Sequence, residues 1–102
     1  MLIEEELFAN YETQESSLME YGFVRKGGIL VYEKPLPVTD MRLVLSYDGG
    51  FSGKIFDTAI GEEYSNFRRP GARGFSAEVR EAFTDALKDV RDALNATAAR
   101  RR

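Results

Sequence analysis

The stretch Met41-Arg42-Leu43-Val44-Leu45-Ser46-Tyr47-Asp48-Gly49-Gly50-Phe51 decides how this chain folds. Met41, Leu43, Leu45 and Tyr47 alternate with polar Arg42 and Ser46, the period-two pattern of a strand with one buried and one wet face. Asp48-Gly49-Gly50 supplies the positive φ of a tight hairpin. Phe51 to Thr58, rich in aromatic and β-branched residues, therefore reads as the antiparallel return strand. Toward the N-terminus, Ile29 to Lys34 and Phe23 to Arg25 read as two more strands, joined through Gly27-Gly28 and separated from Met41 by the Pro35 to Asp40 loop. Toward the C-terminus a short fifth strand is expected around Glu63 to Phe67, ahead of a loop marked by Pro70, Gly71 and Gly74.

Outside this block the period changes. Val79, Phe83, Ala86, Leu87, Val90 and Leu94 form one apolar helical stripe, with Ser76 as its expected N-cap and Glu78 in the first turn. Burying the five larger side chains contributes on the order of 10 kcal/mol before entropy, so this helix should belong to the core. Leu2 to Ala9 carries Leu2, Ile3, Leu7 and Phe8 around Glu4, Glu5 and Glu6, acids that suit a first helical turn. From Thr13 to Tyr21 a second short helix should turn Leu18 and Met19 inward and stop at Gly22. The expected fold is α+β: a four- to five-stranded antiparallel sheet, short N-terminal helices, and a long amphipathic C-terminal helix packed on one face. Residues 1–98 should form a single domain, followed by a basic, frayed tail at 99–102.

Composition narrows the chemistry. The chain of 102 residues has no Cys and no His, which removes disulfides, thiolate nucleophiles, imidazole acid–base pairs and Cys/His zinc sites. No metal site and no cofactor is expected, and no segment reads as a leader or membrane span, so a cytoplasmic location is expected. Residues 1–70 carry twelve acids and seven bases; residues 71–102 carry five acids and seven bases, three of them the terminal Arg100, Arg101 and Arg102. A body this acidic argues against broad nucleic-acid binding.

Three polar groupings are candidates for function. On the last helix Glu78, Glu81, Asp85, Asp89 and Asp92 align at 100° per residue, either as a solvated face or as a mimic of nucleic-acid charge. Their spacing is about 5 Å per charge, sparser than a nucleic-acid backbone. Only with Glu4, Glu5, Glu6, Glu62 and Glu63 on the same side would the density approach that of DNA. Arg68, Arg69 and Arg73 surround Pro70-Gly71 beside Phe67 and Phe75, a loop expected to make local ion pairs in preference to binding nucleic acid. Lys54, Asp57, Glu63 and Tyr64 form the only acid, base and phenol grouping, and strand alternation is expected to separate them, so no catalytic residue is assigned.

Ile3-Glu4-Glu5-Glu6-Leu7-Phe8, Tyr21-Gly22-Phe23, Ser52-Gly53-Lys54-Ile55-Phe56-Asp57, Glu62-Glu63-Tyr64 and the run from Gly74 to Phe83 occur in order along the chain. Together they resemble the N-terminal module of longer bacterial proteins of the MmcQ/YjbR-like family. In those proteins the part labelled DNA-binding follows this module, so the resemblance does not carry that label here. It carries over Lys54, Asp57, Tyr64, Arg68 and Arg80 as polar motif positions and assigns none of them a catalytic role. A stand-alone module of this size implies an independent role, as in the small acidic antagonists of CRISPR effectors.

The expected role is noncatalytic protein binding, through the exposed sheet face or the polar and basic residues Lys54, Asp57, Tyr64, Arg68, Arg69 and Arg73. The alternative is an acidic inhibitor whose carboxylate stripe blocks a nucleic-acid-handling machine. Direct nucleic-acid binding through the arginine loop and tail is a distant third. A protein partner is expected, with a nucleic-acid-handling protein as the alternative, and no membrane.

Overall fold

The hairpin read from Met41 to Thr58 organises the molecule. The computed structural model describes residues 2–9 and 13–100, the last four as backbone alone. It pairs β3 (Met41–Tyr47) with β4 (Phe51–Asp57) in register from Met41 opposite Asp57 to Tyr47 opposite Phe51. Gly49, at φ 74°, supplies the left-handed turn residue. β1 (Val24–Lys26) and β2 (Ile29–Pro35) precede this hairpin and β5 (Glu62–Glu63) follows it. All neighbours are antiparallel and the sheet order is β1-β2-β3-β4-β5, an uncrossed meander. The fifth strand is shorter than the sequence suggested, because the chain leaves the sheet after Glu63 and winds into a 3₁₀ turn at Asn66–Arg68.

Among the described residues three α-helices complete the fold: α1 (Ile3–Leu7), α2 (Glu15–Tyr21) and α3 (Phe75–Arg100). The expected basic tail falls on the last backbone turn of α3 and on Arg101 and Arg102, which lie outside the described residues. Every member of the α3 stripe is at most 5% exposed, and it shares one hydrophobic cluster with Leu30, Leu43, Leu45 and Ile55 of the sheet. The inner sheet face is thus covered by α3, with α1 and α2 packed beside that helix.

Two local expectations are corrected. Met19 is half exposed while Leu18 is fully buried, because neighbours on a helix diverge by 100° and a seven-residue helix offers one inner position here. Ser76 is not the N-cap: Gly74, at φ 58°, turns the chain so that α3 starts at Phe75, and the Glu78 N–H already bonds to the Gly74 carbonyl. Inside that first turn the Ser76 hydroxyl is held by Tyr64.

Candidate functional site

Two polar arrangements stand out, one buried and one open. The buried one begins at Glu4, which is 1% exposed. On α1 it shares a face with Leu7 and Phe8, three and four residues on, and Phe8 stacks on Phe51 of β4 with ring centres 4.0 Å apart. Docking that face drives the Glu4 carboxylate into the protein, where Arg68 meets it with two hydrogen bonds, Nη1 to Oε1 at 3.0 Å and Nη2 to Oε2 at 2.9 Å. The Gly53 N–H donates to Oε2 at 2.8 Å, and Arg68 Nη2 also donates to the Gly53 carbonyl at 2.7 Å. The guanidinium lies over Phe67 and Phe83, 4.8 and 5.2 Å from their ring centres.

This clamp closes an edge of the sheet. β5 pairs with β4 only at Phe56 and Asp57, which leaves the earlier part of β4 open to another strand. At Gly53 the donor and acceptor a further strand would use are taken by Glu4 and Arg68. Burial pushes the Glu4 carboxyl up, but the bonds from Arg68 and from backbone N–H groups outweigh it and hold the group below its usual range. Burying Glu4 also removes it from any acidic surface, so the extended charge mimic that needed Glu4 beside Glu5 and Glu6 does not form in that way.

Arg68 is therefore committed to the clamp, although its ion-pair partner lies 64 residues away in sequence and is not a local one. Arg80 braces the same loop from α3 by donating to the carbonyls of Phe67 and Arg69. Arg69 and Arg73 are exposed. Tyr64 shares a 2.7 Å hydrogen bond with Ser76 and meets Phe75 edge-on. The Asp57 carboxylate accepts the Ala59 N–H at 3.0 Å in the β4–β5 turn, while Lys54 lines the opposite, outer face of the sheet. Lys54, Asp57 and Tyr64 thus do not converge on one point, and no cluster of three or more carboxylates that could hold a metal occurs among the described residues.

The open arrangement lies on that outer face, the exposed sheet face that the sequence offers as a binding surface, with Lys54 among its residues. A groove of about 520 Å³ crosses it, lined among the described residues by β1 to β4 and the β4–β5 turn. At its centre Arg42 stands opposite Phe56 and Val44 opposite Lys54, so two bases occupy one diagonal of a square and two apolar side chains the other. Val31 and Glu33 extend it on β2, and Lys26 pairs with Glu33 at 3.7 Å. Among the described residues Arg42 and Lys54 have no ion-pair partner.

Glu78, Glu81, Asp85, Asp89 and Asp92 are all exposed on the outer side of α3, and Glu78, Glu81 and Asp85 border a cleft walled by Pro37 and Val38. Asp89 lies near the Tyr21–Tyr32 pair, whose rings are 5.1 Å apart. Burial, the hydrogen bond to Tyr32 and the Asp89 charge push the Tyr21 phenol up to about 12. A raised phenol favours folding below the usual tyrosine range, and that contribution disappears as pH climbs toward 12. Phenolate absorbance of the folded protein should contain a component near pH 12 that Tyr21→Phe lacks, and the native protein should lose stability between pH 10 and 12 more steeply than this variant.

No helix among the described residues is long and apolar enough to cross a membrane. No protein-family model matches the chain, and neither a curated protein nor a solved structure matches it.

Proposed function

We propose that this protein is a noncatalytic binding module whose working surface is the outer face of the sheet. One observation carries the reading: Val31, Val44 and Phe56 are half-buried only by their neighbours, on a face no described element covers, beside the unpaired cations Arg42 and Lys54. The arginine loop is the weaker candidate, because Arg68 and Arg80 are spent on Glu4, Gly53 and the loop carbonyls. The likeness to the MmcQ/YjbR-like N-terminal module stands as a proposal about descent. It agrees with a structural role for its motifs, since Glu4, Gly53, Arg68 and Phe83 meet in the clamp.

A second reading, an acidic inhibitor of a nucleic-acid-handling protein, is supported by the five exposed carboxylates of α3 and the apolar wall of Pro37 and Val38 beside three of them. The two readings use opposite sides of the molecule, so one experiment separates them. Affinity capture from the cell of origin is compared for the native protein, Val44→Asp, and the charge reversal Glu81→Lys/Asp85→Lys/Asp89→Lys. The expected outcome is a partner protein lost with Val44→Asp and kept by the triple reversal. The opposite pattern moves the binding surface to α3 and promotes the inhibitor reading.

A further inference from the structure

We propose that the outer-face groove recognises an acidic protein segment in which carboxylates flank an apolar side chain. The inference rests on the reading of that face as a protein-binding surface and adds the chemistry of the partner.

The argument starts from the square at the groove's centre. Register places Arg42 beside Phe56 and Lys54 beside Val44, so the two cations are diagonal neighbours on adjacent strands, roughly 7–8 Å apart at their origins. The two apolar side chains lie between them, across the other diagonal. Carboxylates two residues apart on one side of an extended strand are separated by about 7 Å, and those three or four apart on a helix by about 6 Å. A helical acidic segment spans both cations while an apolar side chain on the same helix face enters between Val44 and Phe56, whereas in an extended segment the residue between the two carboxylates points away from the groove.

Charge supports the same partner. Lys26, Arg42 and Lys54 against Glu33 leave the groove at +2 on a chain whose net charge is −3, whereas the outer side of α3 is acidic. The field around the protein therefore favours anions at this face over the outer side of α3. Single-stranded nucleic acid fits less well, because among the described residues Phe56 is the only aromatic lining the groove. A stacking surface for successive bases needs several rings along a continuous positive track, and here the Glu33 carboxylate interrupts that track.

Selection of a random twelve-residue peptide library on the folded full chain tests the proposal. Expected are peptides with at least two Asp or Glu residues around an apolar or aromatic one. Their binding should weaken roughly tenfold between about 50 and 200 mM salt and disappear with Arg42→Glu/Lys54→Glu. Both substituted positions are on the outer face, and unchanged thermal melting will establish that the variant is folded. In amide-resolved NMR, residues 42–46 and 52–56 should shift on adding a selected peptide. Neutral apolar peptides that bind this face, survive the double reversal and are lost with Val44→Asp would overturn the acidic partner and leave the protein-binding surface standing. Selection that yields no peptide on this face overturns both. Oligothymidylate that shifts the same residues and binds more tightly than any selected peptide reassigns the groove to nucleic acid and overturns the proposal.

Discussion

Arg68→Met will lower stability by about 3 kcal/mol at neutral pH and flatten the acid limb of the stability profile. Removing one partner of a buried ion pair costs about 3–5 kcal/mol because the other charge is stranded. The low end applies because the Arg68 side chain keeps 24% of its exposure. In the native protein Glu4 titrates below the usual carboxylate range, so its contribution is fully present above that range and is lost as pH falls through the depressed value. Without Arg68 the carboxylate keeps its burial, which raises it, and only backbone donors lower it, so its depression shrinks. A carboxyl less depressed in the folded state loses less stability on protonation, so the acid limb of the variant is shallower. Urea unfolding midpoints of both proteins from pH 4 to 8 will show the two limbs differing in slope. Adding Glu4→Gln to Arg68→Met should recover part of the loss, since the amide oxygen still accepts the Gly53 N–H without a charge. Parallel acid limbs and a loss under about 1 kcal/mol would show that the clamp contributes little.

Phe83→Ala should cost about 3–5 kcal/mol, a large fraction of the roughly 5–15 kcal/mol available to a domain of this size. Phe83 is fully buried, meets Phe67 with ring centres 4.9 Å apart, and lies under the Arg68 guanidinium. Its ring also explains Gly53. A methyl group at that position would lie 2.9 and 3.0 Å from Phe83 ring carbons, although the backbone conformation itself is ordinary. Gly53→Ala should therefore cost about 1–3 kcal/mol through overpacking. Phe83→Leu makes room for the new methyl, so the double variant Gly53→Ala/Phe83→Leu should be more stable than the summed single effects by at least about 0.5 kcal/mol. Thermal or urea melting of the four proteins closes this cycle, and strict additivity would disprove the close approach.

The architecture was legible because it follows from local periodicities. Alternation at Met41, Leu43 and Leu45 and the helical stripe from Val79 to Leu94 each commit one face to the interior, and those faces are buried as read. The acidic stripe of α3 was legible for the same reason, since it is the complement of the apolar one. Errors arose where a single residue was assigned without its neighbours in space. Met19 and Ser76 had the right chemistry for an inner position and an N-cap, but the docking of α2 and the turn at Gly74 placed them otherwise.

Two features required the tertiary structure. Glu4 and Arg68 are separated by 64 residues, and no periodicity links them. The only local clue was that Glu4 shares a helical phase with Leu7 and Phe8. The square of Arg42, Phe56, Val44 and Lys54 likewise depends on strand register, which the Asp48-Gly49-Gly50 turn sets and which a one-residue slip would invert. Periodicity along the chain determined which faces of the helix and strands turn inward, because hydrophobic burial acts on every segment by itself. Which charges meet across segments, and which apolar residues remain uncovered, was decided only by packing, because those contacts depend on distances between parts of the chain that sequence spacing does not encode.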